Sequence, residues 1–567
     1  MKHDPAWRPT AASKRGRTVP RRPISAWKRR LLGVVLVASI VGVITLACGP
    51  RWFEDLIGKA TSPNWKHSGG PGPNVLLISI DMLRADHVHS YGYSRPTTPN
   101  LDRLASEGVL FENAISSSSW TLPAHASLFT SLPGTVHGCT DADRRLSDGF
   151  STLAERFRAA GYATAGFFSG PFLHPAFGFG QGFDHYENCT SYRQELDRQS
   201  VEKWARNEET MRESHEDITN PTVLAAVRSW FTGRPEKPFF MFVHWWDAHY
   251  DFIPPPPYDR MFDPNYTGNV TGRDFFHNAN LRAGMDKRDL DHLLALYDGE
   301  IAWTDFHIGQ LLDDLRTAGL LDQTLVIVTS DHGTEFFEHG KRGHRMTLFD
   351  EVLRVPLLVR YPEVFPEGKR RAAQVRMVDV GPTILDVAGL PPFEFTRGRS
   401  LVSLARTGVA PPDAEVAYSD LFSVGRHYRA LRTNDWKLIQ DLDSRAFYYF
   451  DLRRDPGEHS PETETRSAGF IAAVNKYQLT MGSLQQLAVQ AERLKAAAAR
   501  AAGRRGGDDA MPDAVRRQLA GLGYIDSEEE GESVAGPGTE IESTPKEKPP
   551  EKTPFRWPAG EIPTEGP

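Results

Sequence analysis

Five short apolar runs, spread between residues 74 and 361, decide most of what this chain can fold into. They are NVLLISI (74–80), TAGFFS (164–169), PFFMFVHWW (238–246), TLVIVTS (324–330) and VPLLVRY (355–361). Runs this short and this continuous read as strands covered on both faces rather than strands with one wet side. Between them lie stretches of helical period, the clearest being TVLAAVRSWF (222–231) and EIAWTDFHIGQLLDDLRTAG (300–319). Strand and helix in alternation predict an α/β fold over residues 73–410, with a largely parallel sheet flanked by helices.

Beyond that span the texture changes. YRALRTNDWKLIQDLDSRAFYYFDLRRDPGE (428–458) alternates apolar and polar residues around turn signals, which predicts a small antiparallel sheet. GSLQQLAVQAERLKAAAARAA (482–502) is helical by composition, so residues 411–525 read as a C-terminal subdomain with a helix. Residues 526–567 are rich in proline and glutamate with few apolar residues, and read as a disordered acidic tail.

At the other end, residues 1–30 carry ten Lys/Arg against the single acid Asp4. LLGVVLVASIVGVITLAC (31–48) follows without a charge, and as a helix it would rise about 27 Å, enough to cross a hydrocarbon core. The flanking charge predicts a single-pass membrane anchor with a cytoplasmic N-terminus. Residues 49–72 would then be a linker, with the remaining chain periplasmic or extracellular. The whole chain has a net charge of −7. With about +9 on the basic segment, about −16 falls on everything after it, which argues against a nucleic-acid partner. Three cysteines make no thiolate metal site, although an oxidising compartment would allow one disulfide between Cys139 and Cys189.

Ligands of open parallel sheets bind outside the carboxyl ends of the strands, and three of the runs end in metal-binding side chains. Asp81 follows the first. His244, Asp247 and His249 end the third. Asp331, His332, Glu335, His339 and His344 follow the fourth. Taken singly, each has an ordinary explanation. Asp81 could cap a helix, His244 reads as a satisfied core histidine ahead of a ligand, Asp331-His332-Gly333 could be a turn, and Glu338 and Asp350 read as solvated charges. Recurrence at three strand ends is what those explanations leave out. Imidazole together with carboxylate favours zinc or manganese over calcium or magnesium.

SSSSWTLPAHASLFTSLPG (116–134) raises a related question. Pro123 suits the first turn of a helix, and Thr121 two positions earlier suits its cap. A hydroxyl there also sits in the positive field that holds phosphate-like anions. Beside a divalent cation it would lose its proton more readily, so Thr121 is a candidate nucleophile as well.

NVLLISIDMLRADHVHSYGYSRPTTPNLDRLASEGVLFENAISSSSWTLPAHASLFTSLPGTVHG resembles the N-terminal signature of the sulfatase family, within the alkaline phosphatase superfamily. SDHGTEFFEHGKRGHRMTLFDEVLRVPLLVRYP, VDVGPTILDVAGL and ALRTNDWKLI continue the resemblance in order, over roughly residues 73–460. It implies an alkaline phosphatase-like fold and a metal-dependent ester hydrolase or transferase. Conventional sulfatases carry a C/S-x-P-x-R motif whose first residue becomes formylglycine. Here that position is Thr121, which cannot become that aldehyde. Their paired aspartates are Asp81-Met82 here, their Asp-Asn pair is Asp331-His332, and their Gly-Lys-Trp-His segment falls on GFFSGPFL (166–173), without Lys or His.

These departures resemble a threonine-nucleophile branch that includes phosphoethanolamine transferases, lipoteichoic acid synthases and nucleotide pyrophosphatases. That likeness implies one divalent metal on Asp81, Thr121, Asp331 and His332, with Thr121, His249 and His344 in catalysis. Asp247, His249 and His344 are the candidates for a second ion. The implied substrate is a small-molecule, lipid or glycan phosphate or sulfate ester. A conventional sulfatase and a non-catalytic ectodomain that keeps the fold are the rival readings, and the intact quartet argues against the second.

Overall fold

A computed structural model of the chain describes residues 72–190, 217–233, 237–410, 416–423, 425–463 and 467–501. The expected basic segment, anchor and acidic tail, and all but the last residue of the linker, lie outside these residues. Among the described residues no helix is long and apolar enough to cross a membrane.

Strand β1 (Asn74–Ile80) is buried along its whole length, as its unbroken apolar run requires. It pairs in parallel with β5 (Phe239–Trp245) on one side and β6 (Thr324–Ser330) on the other. Next to β5 lie β3 (Ala163–Phe168) and then β4 (His185–Asn188), both parallel. Beyond β6 come β9 (Arg354–Arg360), β2 (Val109–Ile115) and β10 (Lys369–Arg376), giving an eight-stranded sheet in the order β10-β2-β9-β6-β1-β5-β3-β4, while β7 (Glu335–Phe336) and β8 (Arg342–Gly343) pair separately. Only β9 runs against its neighbours, so the sheet is parallel but for one strand. The apolar runs located β1, β3, β5, β6 and β9 to within a residue or so. They missed β2, β4 and β10, the last with a KRRAAQVR sequence whose charges are typical of a protected edge strand.

Register sets the site. Ile80 lies opposite both Trp245 and Ser330, so Asp81 and Asp331 leave adjacent parallel strands at one level. One residue earlier, Ser79 lies opposite His244. Helix α1 (Pro99–Ser106) precedes β2, and helix α2 (Thr121–Thr130), buried throughout, follows the serine run after it. Helices α3 (Leu153–Ala159), α4 (Asn220–Gly233) and α5 (Lys287–Thr317) come in turn. The last of these packs Leu293, Leu296, Ile301, Ile308 and Leu311 into the main core.

The C-terminal part holds the expected antiparallel sheet with four strands, β11 (Ala417–Ser423), β12 (Arg426–Arg432), β13 (Trp436–Asp441) and β14 (Phe447–Asp451). Leu431, Leu438 and Tyr449 meet Phe470, Ala473 and Tyr477 of helix α6 (Ala468–Ala501). Asp350, expected to be solvated, instead anchors this sheet. It pairs with Arg432 at 2.7 Å and Lys437 at 2.8 Å, while the fully buried Lys437 also meets Glu458 at 2.7 Å. Glu338 is likewise engaged, by Arg84 at 2.5 Å. Cys139 and Cys189 are both buried, and no disulfide joins one to the other.

Candidate active site

Asp81, Asp331 and His332 converge beyond the ends of β1 and β6, each with no exposed surface. Nδ1 of His332 lies 2.9 Å from the carbonyl of Gly333, which fixes the ring and turns Nε2 into the cluster. That nitrogen is 3.6 Å from Asp81 Oδ1 and 3.4 Å from Asp331 Oδ2. Thr121 Oγ1 completes the group, 3.4 Å from Asp81 Oδ2 and 3.3 Å from His332 Nε2.

Thr121 does not cap its helix. The cap position belongs to Trp120, in extended conformation and without a side-chain cap bond, and Thr121 is the first helical residue. Its hydroxyl is therefore free of the helix backbone and faces Asp81 and His332. Four serines before it hold that turn in place. Ser116 Oγ donates to the carbonyl of Asp331. Ser118 Oγ donates to the Asp420 carbonyl and Ser419 Oγ to the Ser116 carbonyl, each at 2.6 Å. The Asp420 backbone N–H reaches Ser117 O at 3.0 Å and that of Arg345 reaches Ser119 O at 3.1 Å, while the Arg345 guanidinium lies 4.5 Å over the Trp120 ring. The antiparallel C-terminal sheet thus grips the loop that carries Thr121.

His249 and His344 line the side of the site that keeps some exposure. Thr121 is 3% exposed, His249 6% and His344 5%, against none for Asp81, Asp331 and His332. The His344 ring lies 4.5 Å from His332 and 5.3 Å from His249, and His249 stacks on Trp246 at 3.9 Å. Asp247, expected beside them, has a different task. Its carboxylate accepts from Thr219 N and Oγ1, both at 2.7 Å, from Asn220 N at 3.1 Å and from Trp303 Nε1 at 3.0 Å. Both oxygens are thus spent on fixing the start of α4, even though burial raises its pKa to about 6.

Two further histidines belong to the cluster. His244 is not a satisfied core histidine. Nδ1 lies 3.0 Å from the Ser169 carbonyl, and Nε2 points to Asp81 Oδ2 at 3.4 Å. His125, one helical turn after Thr121, sits between the Thr121 carbonyl and Ser79 Oγ, with Nδ1 3.6 Å from Asp331 Oδ2. Only the Ser79–His244 register and the i, i+4 relation to Thr121 could have flagged them.

The donor set suits a divalent cation. Asp81 Oδ1 and Asp331 Oδ2 are buried without a hydrogen-bond partner among the described residues, an arrangement that would cost about 1–3 kcal/mol per group if nothing met them. Asp81, Asp331 and His332 each offer an atom within 4.8 Å of the others. Two donors on a tetrahedral ion with bonds of about 2.0–2.1 Å lie roughly 3.3–3.4 Å apart, and the cluster's separations run from 3.3 to 3.6 Å. Burial pushes the Asp81 carboxyl up to about 6, with His332 and the Thr121 hydroxyl pulling the other way. Burial also takes His125 down to about 3 and His244 to about 4, which keeps their lone pairs available at neutral pH.

A family model described as Sulfatase matches residues 73–390, more than half of the chain, and one described as N-sulphoglucosamine sulphohydrolase, C-terminal, matches residues 337–481. The chain is similar to the N-acetylglucosamine-6-O-sulfatase of Bacteroides thetaiotaomicron, 26% identical, covering 68% of this chain and 82% of that protein. It is also similar to a multifunctional alkaline phosphatase superfamily protein of Trinickia caryophylli, 27% identical, over 68% of this chain and 90% of that one. Among solved structures, the phosphonate monoester hydrolase of Agrobacterium radiobacter shares the fold with a TM-score of 0.59 and 22% identity, covering 73% of this chain and 96% of the other.

Proposed function

The chain belongs to the sulfatase family, and from that premise we propose that it is a metal-dependent hydrolase of sulfate or phosphate esters with Thr121 as nucleophile. One observation carries the reading: the Thr121 hydroxyl lies 3.4 Å from Asp81 and 3.3 Å from His332, beside buried carboxylate oxygens that no donor among the described residues meets. Asp81, Asp331, His332 and Thr121 would hold the cation. When bound, it lowers the pKa of the hydroxyl and neutralises charge on the nonbridging oxygens of the ester.

Thr121 Oγ attacks sulfur or phosphorus in line, forming a threonine ester as the bond to the leaving alcohol breaks. His249 or His344, on the more exposed side, protonates the departing oxygen. Water then attacks the same centre and Thr121 recovers its proton, whereas an acceptor alcohol in place of water would make the enzyme a transferase. Relatives named for N-acetylglucosamine sulfate and phosphonate esters support both centres as substrates. Residues 31–48 would anchor the enzyme with its site outside the cytoplasm.

The test is to purify the full chain in detergent and measure its metal content. p-Nitrophenyl sulfate, p-nitrophenyl phosphate and bis-p-nitrophenyl phosphate are then assayed side by side against Thr121→Ala. Bound zinc or manganese, and cleavage of at least one ester that the variant loses by 10³-fold or more, is the expected result. Cleavage that survives Thr121→Ala would overturn the nucleophile, and bound metal without turnover would favour a non-catalytic ectodomain.

A further inference from the structure

Asp81 is followed at once by a turn that the proposed reaction leaves without a role. We propose that Tyr297, on α5, is a positioning residue for the metal site. Its hydroxyl, seconded by that of Ser330, holds this turn in the conformation that aims the Asp81 and Asp331 carboxylates. The proposal rests on those two carboxylates being metal ligands, but not on Thr121 being the nucleophile.

The turn is strained where it leaves Asp81. Met82 has a φ of 57°, in the left-handed region that crowds the Cβ of any residue but glycine. Its N–H donates to Asp331 Oδ1 at 3.4 Å, and the His332 N–H reaches the same oxygen at 2.9 Å. Oδ1 of Asp331 is thus engaged, and Oδ2, which no donor among the described residues meets, faces the cluster. A residue other than glycine keeps such a conformation only where its surroundings over-determine it. Tyr297 Oη donates to the Met82 carbonyl at 2.7 Å and accepts from the Arg84 N–H at 3.0 Å, so one hydroxyl closes both ends of the turn. Between them the Leu83 N–H donates to Ser330 Oγ at 3.1 Å, and that hydroxyl donates in turn to the His332 carbonyl at 2.6 Å. The Asp81 N–H is fixed to the Trp245 carbonyl at 2.9 Å.

Tyr297 is fully buried, and burial holds its phenol above the ordinary value, so the proton it donates is kept. Its ring meets segments that follow three central strands: His87 after β1 at 5.0 Å, Phe252 after β5 at 5.4 Å and Phe336 after β6 at 5.1 Å. Those contacts belong to the ring, so Tyr297→Phe keeps them and deletes only the hydroxyl. The Met82 carbonyl and the Arg84 N–H then lose a buried partner. The turn is left to relax from its left-handed φ, and Asp81 moves with it.

The experiment measures the zinc dissociation constant of the full chain in detergent, by competition with a chromogenic chelator. The chains compared are wild type, Tyr297→Phe, Ser330→Ala and Tyr91→Phe, each with its melting temperature. Tyr91 is the matched control: its hydroxyl also bridges two backbone groups, donating to Phe111 O and accepting from Leu357 N, both at 2.8 Å, but between β2 and β9. Tyr297→Phe should raise the dissociation constant about 10–100-fold, the loss typical of removing a group that orients metal ligands. Ser330→Ala should shift it in the same direction, and Tyr91→Phe should melt lower with wild-type affinity. Unchanged affinity in Tyr297→Phe, whatever its melting temperature, would overturn the proposal. Equal weakening in Tyr297→Phe and Tyr91→Phe would overturn it too, because affinity would then follow global stability. A wild-type chain that binds no zinc would overturn the metal reading beneath it. Should Tyr297→Phe fail to fold, unchanged affinity in Ser330→Ala refutes a site aimed by this turn.

Discussion

The Thr121 hydroxyl is turned from its own helix toward Asp81 and His332, and that orientation separates a nucleophile from a cap in a way mutation can read. Thr121→Ser keeps the oxygen and should retain measurable turnover, whereas Thr121→Val keeps the shape and should lose 10³-fold or more in kcat, with thermal melting of both close to wild type. Equal activity in the serine and valine variants would refute the assignment. Asp81 makes a second prediction, on stability. Burial raises its carboxyl from 3.8 to about 6, so between about pH 4 and 6 the metal-free folded protein holds a proton that the unfolded chain has released. The contribution of this group to the stability of the metal-free protein therefore falls as pH rises through that window, by roughly 3 kcal/mol. In urea with a chelator, Asp81→Asn should match wild type near pH 4 and exceed it near pH 7.5. Asp247 and Asp420, also raised by burial to about 6, and His125 and His244, lowered by it to about 3 and 4, titrate in both proteins and drop out of the difference. An unchanged slope would mean that Asp81 is ionised without metal.

At the level of elements, the C-terminal sheet bears on the chemistry through the serine loop. Ser118→Ala removes the 2.6 Å bond to the Asp420 carbonyl and should cost about 1–2 kcal/mol in urea unfolding. Because the loop carries Thr121, kcat should fall more than KM changes, and a fall in stability alone would make the contact merely structural. Lys437→Met leaves Glu458 buried without its cation, while Asp350 keeps Arg432, and should cost about 3–5 kcal/mol. The sheet's strands were legible where burial on both faces made them continuously apolar, and illegible where polar residues interrupt them, in β2, β4 and the charged edge strand β10. Asp81, Thr121, Asp331 and His332 were legible because each sits at an element end. Asp247 was not, since its donors Thr219 and Asn220 lie 28 and 27 residues upstream. His244 and His125 were not either, because which ring nitrogen comes near a carboxylate depends on strand register and ring orientation.

Over the whole molecule, the residues of the candidate site all fall between Asp81 and His344, and no described helix can cross a membrane. Attachment to a bilayer, if residues 31–48 provide it, is therefore separable from catalysis. Eighteen uncharged apolar residues are enough for a span, and the ten cations before them would hold that end on the cytoplasmic side. The full chain should stay with membranes through high salt and alkaline carbonate and leave them only in detergent. A chain lacking residues 1–60 should be water-soluble, with the metal content and kcat/KM of the full chain toward small aryl esters. Full-length protein released by carbonate would exclude a spanning helix. A soluble truncation that lost its metal would show instead that the N-terminal segment supports the site, which the burial of every proposed ligand between residues 81 and 344 argues against.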